Sequence, residues 1–218
     1  ICGGSRAPGP GGKLSDADRV RAIRHGVAPD GRSLLFMPAQ EFNHLGDADL
    51  GDLLAYLHSV PAVQRTLPAN RVGPLGRVLF VAGKVPLLPA EIVDHTVQRS
   101  EPPVAGPTAA YGAYLANSVA NCAGCHTARD LTTGEFTGVP FAGWTHMEGN
   151  VPGTFFNAPN LTPDPTTGHL ANWNFEVFKN RFRAGPAFPD SPMPWANFAR
   201  MSADDLKAIW NYLRSLPP

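Results

Sequence analysis

Several things are scarce in this chain, and each scarcity closes off a class of function. No stretch approaches the roughly 20 consecutive apolar residues that a membrane-crossing helix needs. There is no excess of either charge: 18 Lys and Arg stand against 18 Asp and Glu. That balance leaves neither a basic face for nucleic acid nor an acidic tail. Cysteine is rare, with three in 218 residues and none obviously paired, so a disulfide framework does not hold the fold. Methionine is rare as well, at four, so each one can be weighed singly. No secretory leader is visible, and the chain opens on Ile1 rather than Met. Its start is therefore expected to be processed or incomplete, with any anchor upstream of Ile1.

Proline and glycine are plentiful. Together the 23 Pro and 22 Gly exceed a fifth of the chain, which calls for long loops between short helices. The 43% apolar content is compatible with packed cores. Short helices of this kind gain from a bound group that serves as a central core element.

Two of the three cysteines fall in Cys122-Ala123-Gly124-Cys125-His126. Cys-x-x-Cys-His is the attachment signature of a c-type haem. Two thiols on one helical turn can each form a thioether to a vinyl group, and the histidine that follows aims its imidazole at the iron. Two other readings compete. A Cys-x-x-Cys redox pair wants a βαβ surrounding, which is not visible here. Half of a zinc site wants a second ligand pair, and the only other cysteine is Cys2.

The chain also repeats itself. Met193-Pro194, Phe198, Asp205, Tyr212 and Pro217 each lie 156 positions after Met37-Pro38, Phe42, Asp49, Tyr56 and Pro61. Gly168 and Leu170 stand at the same distance from Gly12 and Leu14, while a three-residue change of offset at Gly26 and Gly185 is absorbed in the loops before the methionines. A constant offset over 25 positions marks a duplicated module. It places the first module's own Cys-x-x-Cys-His about 35 residues before Ile1. Either an N-terminal part precedes Ile1 or the first module has lost its haem. Cys2 does not rescue the first module, because no Cys or His follows it at the right spacing.

A haem with one histidine needs a sixth ligand or an open site. Met193 is the candidate ligand: Asp190-Ser191-Pro192-Met193-Pro194 is too rich in proline for helix or ladder strand, and stiff flanks hold a thioether in place. A core methionine more usually sits on a helix face. Met37, in Phe36-Met37-Pro38, is its counterpart and the candidate axial ligand of a first haem. Met147 and His146 are weaker alternatives, Met201 reads as packing, and His25, His44, His58, His95 and His169 read as surface or haem-edge residues.

Helices are expected over 108–121, capped by Thr108 and ending at the motif; over 174–183, with Phe175, Phe178 and Phe182 on one face; and from Ser202 to about Ser215, with Leu206, Ile209, Trp210 and Leu213 apolar. Ser202 and Asp205 resemble a capping box. The first module is expected to carry matching helices at about Asp16–His25 and Ala48–Ser59. Three regions follow: 1–61 as the C-terminal part of a first module, 62–107 as a Pro-broken connector, and 108–218 as a second domain. In the connector, Val78-Leu79-Phe80-Val81 reads as a short strand or a strap, and Glu101 to Pro107 as linker.

The order of helix, Cys-x-x-Cys-His, Asn160-Leu161-Thr162-Pro163-Asp164-Pro165, helix, Met-Pro loop and Tyr-Leu-Arg-Ser-Leu-Pro helix resembles the bacterial class I c-type cytochromes. It looks most like the multihaem cytochrome subunits of periplasmic alcohol and sugar dehydrogenases and related membrane-associated dihaem cytochromes. The resemblance is strong over 108–218, and over 12–61 it describes a module lacking its front. It implies an all-α fold of two tandem modules with long loops, and thioethers at Cys122 and Cys125. It implies axial ligands His126 and Met193, with Met37 serving a first haem if that haem exists. It further implies haem attachment on the exported, periplasmic side of the membrane. With both axial positions filled by protein, the expectation is an electron carrier rather than an enzyme, relaying between a respiratory, photosynthetic or dehydrogenase complex and an acceptor. The rivals are a dihaem enzyme of peroxidase or thiosulfate-oxidising type with an open haem site, and a structural subunit whose first module is haem-free.

Overall fold

A computed structural model of the chain describes residues 14–34, 37–61, 73–84, 88–96, 101–130, 134–149, 153–188 and 190–218. Cys2, Gly12, Phe36 and much of the connector lie outside these residues. The chain divides into two compact units, Ile1–Glu101 with Leu131–Gly134, and Pro102–Asp130 with Glu135–Pro218. No helix among the described residues is long and apolar enough to cross a membrane.

The first unit contains α1 (Asp16–His25), α2 (Ala39–Phe42), α3 (Asp47–Ser59), α4 (Pro74–Val81) and α5 (Pro89–Ile92). Helix α1 starts where Ser15 and Asp18 form a reciprocal capping box, and it stops at Gly26 in the left-handed conformation. Its core is small: Ile23, Leu45 and Leu50 are buried, with Val20, Met37, Phe42, Leu53, Leu54 and Leu57 packed against them. Arg24 is buried too; it donates to the carbonyl of Leu45 at 2.7 Å and pairs with Asp47 at 2.7 Å. Val78–Val81 is helix, not strand. Pro74 at the first helical position favours that outcome, because its fixed φ suits a helix start and its missing N–H costs nothing there.

The second unit is built around a crossing of two helices. Here lie α6 (Ala109–Tyr114), a π-type turn over Leu115–Val119, α7 (Cys122–His126), α8 (Phe175–Arg183), α9 (Trp195–Phe198) and α10 (Ala203–Ser215). The α6 segment meets α10 at Gly112, where a Cβ would overlap the carbonyl oxygen of Ala208. Only glycine permits that approach. Leu115, Ala116, Ala123, Phe141, Leu170, Phe178, Leu206, Ala208, Ile209, Trp210 and Leu213 form one buried cluster around the crossing, with Met201 packed on it as expected. Asn117 extends the contact by donating to Tyr212 Oη at 3.1 Å.

The helices dominate, with one addition to the expected all-α architecture. Strands β1 (Trp144–Glu148) and β2 (Phe155–Ala158) pair antiparallel, with an irregularity between Trp144 and Met147. At that irregularity His146 has φ +62 and stacks on Phe155 at 3.9 Å.

The two units share local geometry. Pro38 has φ −76 and ψ 58, and Pro194 has φ −77 and ψ 62. The N–H of the residue after each proline donates to the preceding methionine carbonyl at 2.8 Å, Ala39 to Met37 and Trp195 to Met193. Helices α3 and α10 both run 13 residues. The caps of α1 and α8, Ser15 and Asn174, stand 159 apart, so the change of offset occurs before α1 and is reversed in the loops ahead of the methionines.

Candidate functional site

The Cys-x-x-Cys-His segment forms a single helical turn, and the chain is redirected into it. The π-type turn ends where Ala120 N–H donates to Leu115 O at 2.8 Å. Asn121 then adopts φ 48 and ψ 42, left-handed, a conformation that Asn tolerates better than most residues. Its side-chain oxygen accepts from Gly124 N–H at 3.1 Å and caps the new turn. Cys122 and Cys125, three apart, therefore share one face of α7, and His126 follows directly. The π-type turn immediately upstream fits the tendency of such turns to sit at functional sites.

Cys122 is half-buried against the core and Cys125 is exposed; neither is in a disulfide. Burial pushes the Cys122 thiol up to about 12, and the neighbouring Cys125 adds to the rise. A thiol held protonated is a poor nucleophile for stray disulfide exchange. Among the described residues, no group of three or more His, Cys, Asp and Glu gathers as a metal site.

His126 is buried, with 8% of its surface exposed. Its Nδ1 lies 2.9 Å from the carbonyl oxygen of Pro159. A carbonyl only accepts, so Nδ1 carries the proton and Nε2 keeps a lone pair. Burial holds the imidazole below its ordinary range, and the charge of His169 pushes the same way; the Pro159 bond opposes them in part. The ring is therefore neutral near pH 7, oriented, and able to ligate through Nε2. A metal-binding histidine commonly donates its other ring N–H to a carbonyl in this way, which fixes its tautomer and orientation.

The Pro159 carbonyl is itself placed by a relay of backbone bonds. Gly143 N–H donates to His126 O at 2.9 Å, and Leu161 N–H donates to Phe141 O at 2.8 Å. Thr127 Oγ1 accepts from Phe141 N–H at 3.0 Å. Gly143 has φ +91, and a Cβ there would meet Ala158 O at 2.7 Å, so the strand pair closes only over glycine. Phe141 is fully buried at φ +63 and packs edge-on to Tyr212 at 5.6 Å. Beyond Pro159 the loop secures itself. Asn160 Oδ1 accepts from Thr162 N–H at 2.8 Å, and Asp164 Oδ1 accepts from the N–H groups of Thr166 at 2.9 Å and Thr167 at 2.5 Å. The Thr167 and Thr166 bonds hold the Asp164 carboxyl below its usual range.

Cys122, Cys125 and His126 thus share one turn. Met193 lies on a separate loop of the same unit, half-buried at an open hollow whose walls include Pro186, Ser191 and Trp195. Met37 is half-buried in the apolar cluster of the first unit. Sequence reasoning missed Pro159, Phe141, Gly143 and Asn121. The first three act through main-chain atoms or backbone conformation, which side-chain patterns do not report; Asn121, directly before the motif, carried the one readable signal.

The donor set suits a c-type haem: two thiols on one turn, and a neutral histidine with Nε2 spare. A family model described as cytochrome c matches residues 109–217. The chain is similar over 95% of its length to the cytochrome c subunit of a quinone alcohol dehydrogenase from Gluconacetobacter polyoxogenes, at 28% identity and covering 45% of that protein. It is similar over 94% of its length to the gluconate 2-dehydrogenase cytochrome c subunit of Pantoea cypripedii, at 28% identity and 48% coverage. A diheme cytochrome c-type protein of Cereibacter sphaeroides matches at 28% identity over 92% of this chain and 65% of its own. The chain spans a little under half the length of the two dehydrogenase subunits.

Proposed function

The chain belongs to the cytochrome c family, with a covalently bound haem c as its cofactor, and from that premise we propose that it is an electron carrier whose second unit holds its haem between His126 and Met193. One observation carries the reading: the Pro159 carbonyl occupies Nδ1 of His126 at 2.9 Å and leaves Nε2 for the iron. Cys122 and Cys125, on the same turn, supply the thioethers. Met193 would be the second protein ligand, offered from a loop stiffened by Pro192 and Pro194. Haem iron provides one-electron exchange between its ferric and ferrous states, and methionine paired with histidine favours the ferrous form. The chain supplies orientation, burial and ligands. With His126 and Met193 both held for the iron, the chain's own side chains would leave no open position there for a substrate.

The first unit is the C-terminal part of a second module of the same kind, with Met37 poised as axial ligand of its own haem. The repeated Met-Pro turn and the paired 13-residue helices support this. The relatives named as dehydrogenase cytochrome subunits support a role as the electron-accepting part of an oxidoreductase complex, which our reading sets on the exported, periplasmic side of the membrane. The diheme relative supports two haems in the whole protein.

The test is Met193→Ala in the haem-loaded chain. The expected result is loss of the methionine–iron absorption band and a fall in reduction potential, with haem still covalently attached. An unchanged spectrum would instead favour an open-site dihaem enzyme.

A further inference from the structure

Among its described residues the loop that carries Met193 shows few backbone hydrogen bonds, Ser191 N–H to Phe188 O at 3.1 Å being one. Pro186, Pro189, Pro192 and Pro194 remove four N–H donors between Gly185 and Trp195. Side chains must therefore hold it, and two of them form a bracket. Arg181, near the end of α8, donates from Nη1 to the carbonyl of Gly185 at 2.6 Å, where the loop begins. Its guanidinium carbon also lies 4.2 Å from the centre of the Trp195 ring, where the loop ends. The Trp195 indole N–H donates to Ser191 Oγ at 3.0 Å, and the Trp195 backbone N–H donates to Met193 O at 2.8 Å. Ser191 and Trp195 thus stand two residues either side of Met193, tied to each other, and Trp195 and Gly185 are tied to one guanidinium.

We propose that Arg181 and Trp195 are positioning residues that lock the loop and so set how firmly Met193 holds its place on the iron. The inference rests on Met193 as the axial ligand. A thioether is a neutral ligand of modest strength, so its hold depends on the cost of swinging its loop away. Arginine suits the task because its planar group stacks on an indole while an edge N–H reaches a carbonyl. Among the described residues the first unit shows no such bracket: the equivalents of Arg181 and Trp195 are Ala22 and Ala39, and Met37 packs into apolar side chains instead. The lock therefore belongs to the second haem site alone.

Imidazole binding to the ferric, haem-loaded chain reads this hold directly, because imidazole enters only as Met193 leaves. Arg181→Gln and Trp195→Leu should each raise the apparent imidazole affinity about tenfold, the scale of one charge-assisted or cation–π contact. Arg183→Gln is the control. It removes the same charge from the same helix but breaks a bond to Met201 O at 2.6 Å, outside the bracket, and should leave imidazole affinity unchanged. In a Met193→Ala background, Arg181→Gln should have no further effect. Equal shifts from Arg181→Gln and Arg183→Gln, or none from Arg181→Gln, would overturn the lock while leaving the ligand assignment standing. A wild-type chain with no methionine band would overturn both.

Discussion

Helices α3 and α10 are the same length and carry apolar residues at matching positions, yet they are buried to different depths. In α10, Leu206 is 0% exposed, Ile209 3% and Leu213 1%. In α3, Leu50 is buried, but Leu53 and Leu57, the counterparts of Ile209 and Leu213, are only half-buried. The position of Ala208, 0% exposed, is taken in α3 by an exposed Asp52. The difference lies in what covers each helix. In the second unit the α6 segment lies on α10 and closes its face. Among the described residues of the first unit, no helix plays that part for α3. Amphipathic spacing makes a helix and names its apolar side; the depth of burial comes from the partner.

The largest test of that contrast is Gly112→Val. Its Cβ would fall on the carbonyl of Ala208, backbone against backbone, where no rotamer change gives relief. The helices would have to separate, at a cost on the order of 4 kcal/mol, in the class of severe overpacking. The melting transition of the haem-loaded second unit should collapse or disappear. A small shift in melting temperature would mean that the crossing is looser than its geometry implies.

Next in size is a paired substitution, Leu213→Ala in α10 and Leu57→Ala in α3. Removing a fully buried leucine costs roughly 2–5 kcal/mol, because a cavity adds to the lost transfer energy. A half-buried leucine loses about half its apolar area on truncation and should cost near 1 kcal/mol. Denaturant titration of the two variants reads the difference. Equal losses would break the comparison and show that α3 is covered in solution as fully as α10.

The same contrast explains how much was legible beforehand. Spacing and caps gave α8 and α10 to within a residue, because Asn174 accepts from Val177 N–H at 3.0 Å and Ser202 accepts from Asp205 N–H at 3.0 Å, local interactions written in adjacent residues. The helix at 16–25 was readable for the same reason. The segment over 108–121 was readable as helix, but not its π-type turn, which depends on how Leu115 and Ala116 fit a core assembled from distant residues. Val78–Val81 reads as a short strand or a strap because β-branched and aromatic residues fit either element when a run is short; Pro74 is the start signal that favours helix. The motif turn was plain from its three side chains. The bond that orients His126 was not, because its acceptor is a main-chain carbonyl 33 residues away.

The smallest effect lies on the uncovered side of the comparison. Gly51 sits inside α3 at the position that Lys207 holds in α10, and nothing stands within 4 Å of where its Cβ would go. A glycine in a helix interior costs about 0.5–1 kcal/mol relative to alanine, through the backbone freedom it gives up on folding. Gly51→Ala should therefore raise the stability of the first unit by about that amount, with no change in the haem spectrum of the second. The sign is the opposite of that for Gly112, although both residues are helical glycines, because a neighbour is present at one and missing at the other. If Gly51→Ala destabilised instead, by about 1 kcal/mol or more, an unseen partner would be pressing on α3 at that point. The first unit would then possess a crossing like the one Gly112 permits in the second.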